Sequence, residues 1–254
     1  MRVIVVKDKA ELGRRAADII VDEMQRHNNP VLGLATGSTP IPLYKDLIRR
    51  HKEQGLDFST TISFNLDEYV GLAPTHDQSY RYFMNTELFD HVNINKKNTF
   101  VPSGEFLKDD MEAIQSFCDR YEEMIDDIGG IDIQVLGIGG NGHIGFNEPG
   151  SSLGSLTRIK TLTDKTRQDN ARFFDNIDDV PKHAITMGIG TILKARKVLL
   201  LANGQSKAQA VADSLEGPVS SMCPASALQL HRFATYVIDE AAAGRLTLDT
   251  YEHG

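Results

Sequence analysis

Several features that mark common protein classes are scarce in this sequence. There are two cysteines, Cys118 and Cys223, in 254 residues. Their spacing fits neither a zinc site nor a redox CxxC pair, and so sparse a pair points to a reducing, cytoplasmic setting. Positive charge is in deficit: 27 Lys and Arg against 35 Asp and Glu leave a formal net charge of −8. Nucleic acid and anionic membranes need a basic face, so neither is an expected partner. If the ligand is an anion, its cations must be gathered locally. The apolar run at the N-terminus, residues 3–6, is shorter than the ~7–15 residues of a signal-peptide core. No stretch approaches the ~20 apolar residues of a membrane span. No HExxH or other ligand spacing signals a metal, and the phosphate-loop pattern GxxxxGK[ST] is absent. No low-complexity linker divides the chain, and its length suits one α/β domain.

What is present is an alternation of two periods. Short β-branched runs at 3–6, 31–35, 61–65, 131–138, 184–187, 198–202 and 234–238 read as strands. Amphipathic stretches at 10–26, 40–53, 79–88, 111–127 and 206–215 read as helices. This βαβ order predicts a mainly parallel, Rossmann-like sheet with helices on both faces. Residues 150–182 break the rhythm. They are polar and charged, with a helix expected near 164–174, and read as an excursion from the sheet, either a mobile lid or an ordinary surface insertion.

Polar residues gather where strands end. Gly37-Ser38-Thr39-Pro40 follows one strand and Gly139-Gly140-Asn141-Gly142-His143 a second. Asn203-Gly204-Gln205-Ser206-Lys207 follows a third, and Asp67-Glu68-Tyr69 a fourth. In open parallel sheets the ligand lies beyond the carboxyl ends of the strands, so all four clusters are expected on one edge. Ser38, Thr39 and the amides before a helix suit a phosphate, or they form a plain helix cap. Gly137-Ile138-Gly139-Gly140-Asn141-Gly142 fits GxGxxG, but Phe146-Asn147-Glu148-Pro149-Gly150 interrupts the long helix that a dinucleotide site needs. The glycines are expected instead to let backbone approach a small substrate. Strand alternation sends the Asp67 and Glu68 carboxylates to opposite sides, so one of the two is expected to face the substrate. Lys207 begins a helix, an end where cations are disfavoured unless an anion sits there.

Taken together, Phe64-Asn65-Leu66-Asp67-Glu68-Tyr69-Val70-Gly71-Leu72, Gly142-His143-Ile144-Gly145-Phe146-Asn147-Glu148-Pro149, Ser151-Ser152-Leu153, Arg158-Ile159-Lys160-Thr161-Leu162-Thr163 and Arg172-Phe173-Phe174-Asp175-Asn176 resemble the glucosamine-6-phosphate deaminase family, in order and over nearly the whole chain. The resemblance implies a Rossmann-like fold with a mobile lid and a cofactor-free reaction on a sugar phosphate. It implies that Asp67 shuttles a proton between C2 and C1 of the open-chain sugar. His143 would assist ring opening and Glu148 would tune it. The substrate phosphate would rest on Gly37, Ser38, Thr39, Arg172 and Lys207.

One position departs from the pattern. Many members have Asp where this chain has Asn141, while some bacterial members share the Asn. A neutral amide cannot raise the basicity of His143 as a carboxylate would, which leaves the route of the proton through Asn141, His143 and Glu148 open. Ser151, Ser152, Arg158 and Lys160 match positions that bind the phosphate of N-acetylglucosamine 6-phosphate between subunits in hexameric members. A monomer and a homo-oligomer, up to a hexamer, both stay open. Two other functions compete: a 6-phosphogluconolactonase, whose family has Arg at the place of Tyr69, and a sugar-phosphate sensor without catalysis.

Overall fold

In the computed structural model, residues 1–106, 110–162, 168, 176, 180–248 and 251–253 are described. Eight parallel strands form one sheet: β1 (Arg2–Val6), β2 (Val31–Leu34), β3 (Ile62–Asn65), β5 (Thr99–Phe100), β6 (Ile133–Gly137), β9 (Lys197–Ala202), β10 (Ala234–Asp239) and β11 (Glu252–His253). Their spatial order is β11-β1-β10-β9-β6-β2-β3-β5. The central strands are apolar on both faces, as a sheet covered on both sides requires; all four residues of β2 and residues 198–202 of β9 are buried. The chain runs from β2 outward through β3 to β5, then returns to β6 and runs the other way through β9 to β10. Strand order therefore reverses between β2 and β6, and a crevice opens there at the carboxyl ends.

The helices form where their caps and stripes direct. Asp8 caps α1 (Lys9–Met24) by accepting from the Glu11 amide, while the Glu11 carboxylate reaches back to the Lys7 amide, a reciprocal arrangement that satisfies two donors. Its buried stripe is Leu12, Ala16, Ala17, Ile20 and Met24, packed against α2 (Ile41–Gln54). The helices α3 (Tyr80–Glu87), α4 (Met111–Asp127), α5 (Ile189–Leu193), α6 (Ala208–Leu215) and α7 (Glu240–Ala243) follow.

A second sheet was not expected. β4 (Asp67–Tyr69), β8 (His183–Thr186) and β7 (Arg158–Thr161) pair antiparallel in the order β4-β8-β7. The run expected at 184–187 as one more strand of the main sheet lies here instead. β4 was invisible because it is three residues with two carboxylates, a composition that strands disfavour. β7 was absorbed into the charged excursion. Nearly half of that excursion, including Arg167, Arg172 and all of the helix expected over 164–174 except residue 168, lies outside the described residues.

The small sheet is tied to the main body by a buried acid. Glu122 on α4 accepts from the Thr157 amide at 2.9 Å and from the Thr157 and Thr191 hydroxyls at 2.5 Å each. Removing it would leave a buried amide without a partner, which costs more than the bonds themselves gain. Glu122→Ala is expected to lower stability by about 3 kcal/mol or more. Glu122→Gln, which keeps one acceptor oxygen, should lose clearly less; urea unfolding of the pair measures the difference.

Candidate active site

Four adjacent strands supply the site. β9, β6, β2 and β3 are neighbours, and the polar clusters read from the sequence follow these four. The turns after β6 and β9 touch: a Cβ placed on Gly140 would lie 3.6 Å from the Ser206 carbonyl. The shared edge expected from the sequence is therefore present, at the strand-order reversal.

Asp67 opens β4 directly after β3, opposite Thr186 on β8. It is 6 % exposed, and no described residue donates a hydrogen bond to it. Burial pushes its carboxyl up to about 8, with the nearby Glu68 charge as the second cause. Part of the cover comes from Gly145, whose φ of +56° falls in the left-handed region. A Cβ there would sit 3.3 Å from Asp67 Oδ2 and 3.0 Å from Thr186 Oγ1, so a side-chain-free residue lets this turn close over the acid. Glu68 points to the other side of the strand, as alternation requires, and is bonded to α3.

His143 stands on the turn after β6. The turn closes through Gly142 N–H to Gly139 C=O at 3.0 Å and Gly139 N–H to His143 C=O at 2.9 Å. The imidazole lies flat on Gly139: an added Cβ would come within 2.2 Å of Cε1. The room expected for a substrate at this glycine is taken by the ring itself. Asn141 Oδ1 accepts from the His143 backbone amide at 3.2 Å and faces His143 Nδ1 at 2.7 Å. Asn141 Nδ2 donates to Glu148 Oε2 at 2.7 Å. The backbone amide and the carboxylate together fix which end of the Asn141 amide is oxygen, so Nδ1 must carry the proton that Oδ1 accepts. Nε2 of a ring that is 36 % exposed is left as the acceptor. Glu148 Oε1 lies 3.4 Å from Nδ1, close enough to stabilise an imidazolium.

The turn carrying these groups is pinned to the small sheet. Asn147 Nδ2 donates to the Ile144 and Met187 carbonyls, each at 2.9 Å, and Arg158 Nη2 donates to Asn147 Oδ1 at 2.8 Å. The Phe146 amide donates to Thr186 Oγ1 at 3.1 Å. Phe146 packs with Tyr69 and Tyr80 at centroid distances of 5.5 and 6.1 Å. Thr186 and Tyr80 were not singled out in the sequence, and Tyr69 only as a position where the lactonase family differs. Tyr69 and Tyr80 lie 11 residues apart and Phe146 far beyond them in the chain, and no periodicity joins the three.

On the other side of the crevice, Gly37 and Ser38 are exposed and Thr39 half-buried at the start of α2. The plain-cap alternative fails: the helix has no side-chain capping bond. Lys207 is half-buried at the start of α6, and burial lowers its pKa; it has no acidic partner among the described residues. Arg172 lies outside those residues. Of the four residues matched to a phosphate site between subunits, Ser151 is buried, Ser152 is exposed, and Arg158 and Lys160 share one face of β7. No helix directly follows the glycine turn, which leads into a short bridge between Ile144 and Asn147. The dinucleotide reading has no structural support.

Residues 7–237 match the family model described as glucosamine-6-phosphate isomerases/6-phosphogluconolactonase. A protein of Shewanella woodyi named glucosamine-6-phosphate deaminase is 56 % identical over the whole chain and 94 % of its own length. One of Clostridium perfringens with the same name is 52 % identical over 96 % of this chain and 98 % of its own. A solved monomeric glucosamine-6-phosphate deaminase superposes with a TM-score of 0.91 at 48 % identity, covering 96 % of this chain and all of that one. The 6-phosphogluconolactonase of Trypanosoma brucei shares the fold, with a TM-score of 0.79 at 18 % identity over 97 % of this chain and 99 % of that one. The chain belongs to the glucosamine-6-phosphate isomerase/6-phosphogluconolactonase family.

Proposed function

We propose that this protein converts glucosamine 6-phosphate and water to fructose 6-phosphate and ammonia. The observation that carries the reading is a buried carboxylate with no hydrogen-bond donor among the described residues, Asp67, at one sheet edge with a tautomer-fixed imidazole, His143. It is supported by full-length relatives of that name at more than half identity. The lactonase reading has the shared family model and solved structures at about one-fifth identity behind it.

The chemistry follows from what each group can do. His143 Nε2, free to accept, takes the C1 hydroxyl proton of the closed sugar and returns a proton to the ring oxygen, which exposes the aldehyde. Glu148, through Asn141 and directly, offsets the transient positive charge on the ring. Asp67 in its ionised form removes the C2 proton next to the carbonyl. Poor solvation makes it a stronger base than an exposed acid. The enolamine takes that proton back at C1 and becomes a C2 imine, and water adds and expels ammonia. No electron leaves or enters, so the residues suffice without a cofactor.

Ser38, Thr39, the Gly37 turn and Lys207, with Arg172 by resemblance, hold the phosphate, whose binding energy fixes the sugar for the distant bond changes. An anion there also accounts for a half-buried lysine at a helix start. For Ser151, Ser152, Arg158 and Lys160 we favour a role within one subunit, since Arg158 already braces Asn147, and we read the protein as a monomer. Among the described residues no helix is long and apolar enough to cross a membrane. A cytoplasmic location fits a charged substrate that does not pass bilayers unaided.

Asp67→Asn should reduce kcat by about 10²–10⁴-fold, the usual worth of a positioned base, while glucosamine 6-phosphate still binds. Ammonia release measures this, and turnover of a lactone alone would overturn the reading. In the wild type, kcat/KM should rise with pH through about 8, where Asp67 ionises, rather than near 4. Lys207→Ala should raise KM by roughly 10–100-fold, as for a lost charge-assisted bond, with a much smaller change in kcat; steady-state kinetics separates the two.

The same buried acid affects stability. Its folded pKa exceeds its unfolded value, so the folded state holds the proton more tightly and stability falls as pH rises from about 4 to about 8. Asp67→Asn removes that loss. Its melting temperature should therefore exceed that of the wild type by a margin that opens across this window and stays constant above it, as calorimetry at several pH values would show.

A further inference from the structure

Glu68 has no part in the chemistry above, yet it is among the most firmly held side chains in the protein. It is 2 % exposed. Its carboxylate accepts from the Ser79 hydroxyl at 2.7 Å, the Tyr69 amide at 2.9 Å, and the Tyr80 and Arg81 amides at 3.0 Å each. Tyr80 and Arg81 are the first two residues of α3, where unsatisfied amides and the helix dipole favour an anion. All four partners donate. The one partner atom that could also accept, Ser79 Oγ, already accepts from the Arg81 and Tyr82 amides at 3.1 and 3.4 Å. A protonated Glu68 would therefore have nowhere to point its hydrogen. The site is built for the charged form, although burial pushes this carboxyl above its ordinary range.

The preceding residue along the strand is Asp67, buried with no donor among the described residues. We propose that Glu68 is a positioning residue for Asp67: locked on the opposite face of β4 as the charged cap of α3, it fixes the strand that carries the base and sets the pH at which that base ionises. The inference rests on the proposed role of Asp67 and adds the group that governs it.

Among the described residues, Glu68 is the charge that acts on Asp67. On β4 itself the other titratable group is Tyr69, from α3 comes Tyr80 and from α4 Tyr121. Burial pushes all three hydroxyls above the ordinary tyrosine range, so they are neutral. Arg81 of α3 directs its guanidinium to Thr99 Oγ1 and the Thr99 carbonyl. Arg158 of β7 directs its guanidinium to Asn147 and the Leu156 carbonyl. On the turn that covers Asp67, His143 and Glu148 are joined through Asn141. A like charge fixed next to a poorly solvated acid holds that acid protonated to higher pH. The two carboxylates, though adjacent in sequence, are thereby driven apart, one with four donors holding its charged form and one with burial opposing it.

The test is Glu68→Gln, read by the pH dependence of kcat/KM on glucosamine 6-phosphate. The ascending limb should move to lower pH by about one unit. Ser79→Ala is the control for loosening alone: it weakens the cap and keeps the charge, so the melting temperature should fall while the limb stays in place. An unmoved limb in folded Glu68→Gln, or an equal shift in Ser79→Ala, overturns the proposal. If Glu68→Gln does not fold, carboxyl carbon NMR of the wild type decides. Glu68 should stay ionised while Asp67 titrates, and protonation of Glu68 at a higher pH than Asp67 overturns the inference. The NMR arm needs no turnover, so absence of ammonia release would refute the activity and leave the electrostatic proposal separately testable.

Discussion

A carboxylate buried without a hydrogen-bond donor is costly to keep ionised, and much of the architecture around Asp67 serves to hold it there. β4 exists only by pairing with β8, and that pairing sets Asp67 opposite Thr186. Thr186 in turn receives the Phe146 amide, which brings the turn containing Gly145 down over the acid. Behind the strand, Glu68 fastens β4 to α3. The main parallel sheet is the platform from which this smaller antiparallel assembly is suspended, and Glu122 is one of the ties between them.

The histidine side follows a different logic. His143 is partly exposed and oriented through an amide rather than a carboxylate. Asn141 accepts from both the ring and the backbone amide of His143 while donating to Glu148. The arrangement fixes a neutral tautomer with Nε2 outward, and it places the negative charge one residue further back than an aspartate at position 141 would. The Asp67 carboxyl is thus governed by burial and the neighbouring Glu68 charge, and the imidazole by hydrogen-bond direction.

Much of this was legible before any coordinates. The seven apolar runs and the helices between them correspond to observed elements within a few residues, because buried parallel strands and amphipathic helices write strong periods into a sequence. Residues 111–127 were bounded correctly, with Asp110 as the cap. The polar clusters after β2, β3, β6 and β9 also fell on one edge, because a parallel sheet places all carboxyl ends together. Short strands escaped. β5 has two residues and β4 three, and neither length carries a period; β7 alternates charged and apolar residues and reads as surface.

The sequence by itself determined that the four polar clusters share the carboxyl-end edge of the sheet, and that Asp67 and Glu68 face opposite ways. These depend on local periodicity and chain direction. Only tertiary structure decided which of the two carboxylates is deprived of donors and which is saturated with them. It also decided that Gly139 makes room for an imidazole, and that residues near 158 and 186 support the base. Those outcomes turn on how separate elements pack, from the turn at Gly139 to the pairing of β4 with β8, and desolvation is a property of the assembled surroundings rather than of any stretch of chain.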